Sequence, residues 1–291
     1  MKNMLLNIGK SLFIVGVLNL STLYANVNTV VSVVPQKTFV KAIGGDKVNV
    51  SIMVKPGSEP ETYEPKPSQM KDIAKADLYF AIGFGFEEVW LKKFANQNKN
   101  MKIIDLSNHI KKIPMVSVHR LDVDSKHHEH NSLDPHIWLS PKNVKVIAKD
   151  IYENLVKIDS KNRAYYKNNY DKFLIHIKNT DKKIKKVLVD VETGSNLMVF
   201  HPAWGYFSRD YGLTQLAIEV DGKNPKPKQV MLLIKRAKKE NVKAIFTAPE
   251  FNQKIAKQVA HEVGVPVISV SPLNPNWSEN LINLAKDIAR K

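Results

Sequence analysis

The chain has 291 residues, enough for one or two domains with sizeable cores at roughly 100–200 residues each, and its 43% hydrophobic content excludes a disordered polypeptide. It contains no cysteine, which excludes disulfides, thiolate metal sites and a lipid anchor attached at a cysteine. Its formal charge is +16, yet only five of its 44 basic residues are arginine (Arg120, Arg163, Arg209, Arg236 and Arg290), so the charge describes a lysine-rich solvated surface rather than a nucleic-acid interface.

Residues 1–25 read as a secretory signal peptide. Lys2 and Lys10 make a positive start, "SLFIVGVLNL" is an apolar core too short to span a bilayer, and "STLYA" offers small residues before a cut after Ala25. Loss of those two lysines leaves the mature chain at +14. An exported chain without a lipidated cysteine is expected in the periplasm of a bacterium with two membranes.

From residue 26 the pattern alternates. "TVVSVV" (29–34) is a β-branched run too short for a helix, and Pro35 and Gly44 bracket a helix after it. "VNVSIMV" (48–54), "LYFAIG" (78–83) and "MKIIDL" (101–106) are further strands. A helix is predicted over 68–76 with Ser68 as its cap, and another between the last two strands. The second half repeats the rhythm. Strands are predicted at 196–200, 213–220, 242–248 and 265–271, and helices at 202–212, 227–240, 252–263 and 278–290. Between the halves, residues 159–192 hold no glycine or proline, and apolar residues recur there at helical spacing. The fold class is therefore α/β: two (β/α) lobes with mostly parallel sheets, joined by one long rigid linker helix. The expected boundaries are 26–158 for the N-terminal lobe, 159–192 for the linker and 193–291 for the C-terminal lobe.

Open α/β sheets bind ligands at the carboxyl ends of their strands, so residues just past strands are the candidates. "KPGSEPETYEPKPSQ" (55–69) follows one strand and carries Glu59, Glu61 and Glu64. "DPHIWLSP" (134–141) carries His136, and "HPAWGY" places His201 directly behind a strand. One carboxylate and two imidazoles from three separate loops suit zinc, with manganese or iron also chemically acceptable. Spacing alone leaves the blander readings open: an exposed loop carboxylate, a hydrogen-bonded loop histidine and a helix-capping histidine. A second group, His127, His128 and His130, sits in a polar run and is either a weak metal-capturing loop or a solvated one.

"PGSEPETYEPKPSQ", "DPHIWLSP" and "FHPAWGYFSRDYGL" resemble the three signature segments of metal-binding substrate-binding proteins of ABC transporters, in the zinc-type, ZnuA-like branch of cluster A-I. The resemblance covers essentially the whole mature chain. It implies a monomeric periplasmic protein that binds Zn2+ tightly as cargo and delivers it to an ABC permease in the inner membrane, without enzymatic activity. It places the metal ligands at Glu61, His136 and His201, and makes His127, His128 and His130 a short version of the histidine-rich loop of zinc-type members. The chain departs from the family in three places. Glu61 stands where a histidine is usual, which moves the site toward manganese or iron. Ser271 stands where some relatives carry a late carboxylate ligand. "FTAPEF" has Ala248 in place of the usual glutamate, with Glu250 two residues on. The competing functions are a manganese or iron carrier of the same family, and a zinc-dependent hydrolase. The latter has little support: "HEVGV" (261–265) lacks the second histidine of the metalloprotease motif.

Overall fold

The β-branched run that opens the first lobe forms a strand because Val, Ile and Thr pack well on a pleated surface buried on both faces. A computed structural model of the protein describes residues 26–115, 133–219 and 224–290. The expected signal peptide lies outside the described residues. In chain order the N-terminal elements are β1 (Val27–Val31), α1 (Val34–Gly44), β2 (Val48–Ile52), α2 (Met70–Lys75), β3 (Leu78–Ala81), α3 (Gly85–Gln97), β4 (Lys102–Asp105) and α4 (Pro141–Ile158). The 25-residue α5 (Arg163–Val187) follows. Then come β5 (Asn196–Val199), α6 (Gly205–Tyr211), β6 (Thr214–Ala217), α7 (Pro227–Lys239), β7 (Ile245–Thr247), α8 (Lys254–Val263), β8 (Val267–Ser269) and α9 (Trp277–Ile288).

The strands make two four-stranded parallel sheets with the same internal order, β2-β1-β3-β4 and β6-β5-β7-β8. In each, the chain steps outward from the first strand and then returns to its other side. A crevice therefore opens between β1 and β3, and another between β5 and β7, at the carboxyl ends of the strands.

Three sequence expectations are corrected. Ser68 caps nothing: residues Pro67–Gln69 form a 3-10 turn, and α2 begins only at Met70. The helix expected over 202–212 begins at Gly205, because residues 201–204 are turns that aim His201 inward. The sequence reading also passed over α4, an 18-residue amphipathic helix with Val144, Ile147, Ala148, Ile151 and Leu155 buried along one face. Its start is well signalled: the Ser140 hydroxyl accepts the Asn143 N–H at 3.1 Å, and Pro141 occupies the first helical position.

Helix α5 buries Tyr166, Phe173, Ile177, Thr180 and Ile184, spaced seven, four, three and four residues apart along a single stripe. It packs against α1, α4 and α9. Phe39 of α1 meets Phe173 of α5 at 5.7 Å and Trp277 of α9 edge-on at 5.4 Å. One apolar cluster thus runs through both lobes and the helix between them. Among the described residues, no helix is long and apolar enough to cross a membrane.

Candidate metal centre

Glu61, His136 and His201 come from three distant segments and meet. One ligand atom from each lies within 4.8 Å of the others. Glu61 lies in the proline-rich loop after β2, His136 in the turn leading to α4, and His201 two residues past β5 at the crevice between β5 and β7. His136 and His201 are buried, at 3% and 5% exposure, while the Glu61 side chain keeps 25% of its surface open. The two imidazoles present Nε2 to each other at 3.4 Å, and His201 Nε2 lies 3.1 Å from a Glu61 carboxylate oxygen.

The opposite edge of each ring is tied to a carboxylate. His136 Nδ1 donates to Asp134 Oδ1 at 2.8 Å, and that oxygen also accepts the His136 N–H at 2.8 Å. His201 Nδ1 donates to Glu219 Oε2 at 2.6 Å. These bonds select the tautomer that leaves each Nε2 free to coordinate and raise its basicity. Asp134 was visible within the "DPH" phrase. Glu219, just past β6, was missed, although a carboxylate at a strand's carboxyl end was the available signal. Aromatic rings wall the site: Phe251 stacks on His201 at 4.4 Å, and Trp138 and Phe84 contact His136 at 5.3 and 5.8 Å.

The donor set fits a zinc-sized ion. Tetrahedral zinc with Zn–N near 2.0–2.1 Å requires its nitrogen ligands to be roughly 3.3–3.4 Å apart, and the two Nε2 atoms already have that spacing. Four carboxylates, Glu59, Glu61, Asp134 and Glu219, gather at this point in a chain that is otherwise strongly basic. Burial raises the Glu59 carboxyl, and the nearby charges of Glu61 and Glu219 raise it further.

Burial disfavours the charged form of His201, but its hydrogen bonds to Glu219 and Glu61 outweigh that and push the metal-free ring up to about 9. Burial likewise raises Glu61, and the hydrogen bond and charge of His201 outweigh it, leaving that carboxyl lowered. A raised folded-state value means the protonated ring stabilises the metal-free fold fully below the usual histidine value, and that contribution is lost as pH rises through about 9. An entering cation must displace this proton. Between about pH 6.5 and 9, metal binding is expected to release about one proton from His201, so affinity falls by about a decade per pH unit on acidification. Calorimetric titration in buffers of different ionisation enthalpy reads the proton count, and a count of zero would contradict this.

Glu219→Gln should weaken zinc binding by roughly 10–100-fold through loss of the charged partner on His201. A chelator-competition titration measures this, and an unchanged affinity would mean that Glu219 only fills space.

His127, His128 and His130 lie outside the described residues. The two C-terminal departures noted in the sequence meet: Ser271 Oγ donates to Glu250 Oε1 at 2.5 Å. The other oxygen of Glu250 is buried with no partner among the described residues.

Two parallel α/β lobes, with one carboxylate and two imidazoles gathered from both, are the features of a two-lobed metal-binding protein. The chain belongs to the ZnuA family, described as zinc-uptake complex component A, periplasmic, which it matches over residues 29–290. It is a ZnuA-like substrate-binding protein of the ABC-transporter type. It is 37% identical to the crystal structure of ZnuA, with a TM-score of 0.82, covering 91% of this chain and 98% of that one. A ZnuA variant lacking residues 138–173 of its own chain and solved with zinc bound matches with the same identity and TM-score, covering 91% of this chain and 97% of that one. The zinc-binding protein AdcA of Streptococcus pyogenes serotype M3 is 30% identical over 261 residues, 85% of this chain and 50% of its own. This chain thus spans about half the length of the first curated relatives it matches.

Proposed function

We propose that the protein is a periplasmic zinc-binding protein that holds Zn2+ at Glu61, His136 and His201 and delivers it to an ABC permease. The observation that carries this reading is the 3.4 Å spacing of two buried Nε2 atoms, each ring locked by a carboxylate on its far side. A relative solved with zinc bound supports it. Residues 26–158 would form one lobe, 159–192 the linker and 193–291 the other lobe, with the monomer as the working unit. The histidines at 127, 128 and 130 would capture zinc weakly before it enters the tight site.

Glu61 favours a second reading, manganese or iron as cargo, because a carboxylate is a harder ligand than imidazole. Two imidazoles against one carboxylate still favour zinc. The experiment is a competition titration of the metal-free mature chain, residues 26–291, with zinc and manganese together. Preferential zinc occupancy of one tight site is expected. Manganese preference would overturn the zinc assignment and leave the metal-carrier reading standing.

A further inference from the structure

Each sheet has a crevice where strand order reverses. In the C-terminal lobe the crevice between β5 and β7 admits His201. In the N-terminal lobe the corresponding crevice between β1 and β3 is filled by a carboxylate from the chain itself, Glu87. This side chain is the third residue of α3 and only 2% exposed. Its oxygens accept the N–H groups of Ile82 at 3.0 Å, Gly83 at 2.6 Å and Phe84 at 3.2 Å. The hydroxyl of Ser32, just past β1, also donates to it, and Ser32 Oγ lies 2.8 Å from the Tyr79 hydroxyl. Gly83 sits at φ +98°, a backbone that a side chain would strain, so the turn needs this glycine as well as its anchor. Burial pushes the Glu87 carboxyl up to about 7, although the hydrogen bonds it accepts favour its charged form.

The turn held by Glu87 faces the metal centre. Phe84 is fully buried and meets the His136 ring edge-on at 5.8 Å and 84°. A methyl group added at Gly85 would lie 4.0 Å from the Glu61 carbonyl oxygen, so this backbone lies against the loop that carries the carboxylate ligand. One carboxylate therefore backs both ligands of the N-terminal lobe.

We propose that Glu87 is a positioning residue of the metal centre: it holds the Ile82–Gly85 turn that fixes the ring of His136 and the backbone of Glu61. This rests on the metal-site reading above. Three backbone N–H groups converging on one anion account for the choice of residue. All three of those N–H groups reach the same oxygen, Oε2, at 3.1, 2.6 and 3.2 Å, so glutamine keeps them with its own oxygen there and changes only the Ser32 contact, whereas alanine leaves all three without this acceptor.

The test compares Glu87→Gln and Glu87→Ala with Ile151→Ala, a fully buried change in α4 away from the turn. Zinc affinity, metal-free melting temperature and the visible d–d bands of bound Co2+ are measured for each. Glu87→Ala is expected to lose roughly 10–100-fold in zinc affinity, the range for residues that orient ligands, and to shift the Co2+ bands. Glu87→Gln, which keeps an acceptor for the three N–H groups, is expected to stay close to wild type in both. Ile151→Ala should lower the melting temperature while leaving affinity and bands unchanged. Affinity that simply follows melting temperature across all three variants, or unshifted Co2+ bands in Glu87→Ala, would overturn the proposal. His201→Ala separates the two levels. If His201→Ala abolishes tight binding while Glu87→Ala does not weaken it, only the positioning role fails. If His201→Ala binds normally, the metal-site reading itself fails.

Discussion

His201→Ala is expected to reduce zinc affinity by about three orders of magnitude or more, and His136→Ala by a similar factor. Loss of a carboxylate that merely orients a ligand costs roughly 10–100-fold, and loss of the ligand itself must cost more. Among the described residues three side chains gather at the proposed site, so two remain after either change. The loss also strands charge. Without the imidazole of His201, Glu219 is a buried carboxylate with no partner on that side, and Glu61 loses the ring that lowers its pKa. His201 should therefore matter somewhat more than His136, because its ring touches two carboxylates. Competition against a zinc-chelating dye measures both variants. Affinity within tenfold of wild type in either would remove that residue from the site.

Much of this centre was legible in the sequence, because ligand position follows from topology. Parallel α/β sheets expose the residues that follow their strands, so a histidine directly behind "LMVF" and a carboxylate-rich loop behind "VNVSIMV" were candidates before any coordinates. Their convergence was not legible. Glu61 and His201 are 140 positions apart, and only the packing of two lobes along α5 brings them within 3.1 Å. Glu219 was missed for a related reason. "LTQLAIEV" reads as a continuous strand, so Glu219 is legible as a carboxylate near a strand's carboxyl end, but its pairing with a histidine 18 positions earlier is not. Helix α4 was passed over because "DPHIWLSP" drew attention to its ligand, although Ser140 and Pro141 are ordinary helix-start signals. Ser271 is one departure from the family, and Glu250 lies two residues beyond another, Ala248. Only the structure shows that they are hydrogen-bonded partners at the carboxyl ends of β8 and β7.

Glu61 and His136 come from one lobe and His201 from the other, so the seam between the lobes decides whether the cluster forms. That seam is hydrogen-bonded in both directions. The Tyr206 hydroxyl from the C-terminal lobe donates to the Asp134 carbonyl at 2.8 Å, two residues from His136. Gly205 leaves room for the Asp134 carboxylate: a methyl group there would lie 2.6 Å from Asp134 Oδ2. Any change in how the lobes sit moves Asp134, and through it the ring it orients. A stiff helix along the seam suits a carrier whose ligands must already be at zinc spacing when the ion arrives, since ordering them on binding would subtract from affinity.

Trp138→Ala tests that seam and should be the most destabilising single change. Trp138 is fully buried, its indole N–H donates to the Pro272 carbonyl at 2.8 Å, and its own carbonyl accepts the Trp277 indole N–H at 2.7 Å. The two indoles thus clasp the segment before α4 to the segment before α9. Removing a buried tryptophan costs about 3–5 kcal/mol in lost burial and cavity formation. The stranded Pro272 carbonyl adds to that cost. For a chain of this size the melting temperature of the metal-free protein should fall by roughly 10 °C. Trp138→Phe keeps most of the ring and loses one hydrogen bond, so it should cost only about 1–2 kcal/mol. Zinc separates the seam from the site. An ion that binds only the folded form adds stability in proportion to the logarithm of its excess over Kd, about 4 kcal/mol at a thousandfold excess. Saturating zinc should therefore restore much of the lost melting temperature in Trp138→Ala and none in the double variant with His201→Ala. Differential scanning calorimetry with and without zinc reads both effects. If metal-free Trp138→Ala melts within about 3 °C of wild type, the indole clasp does not hold the lobes together.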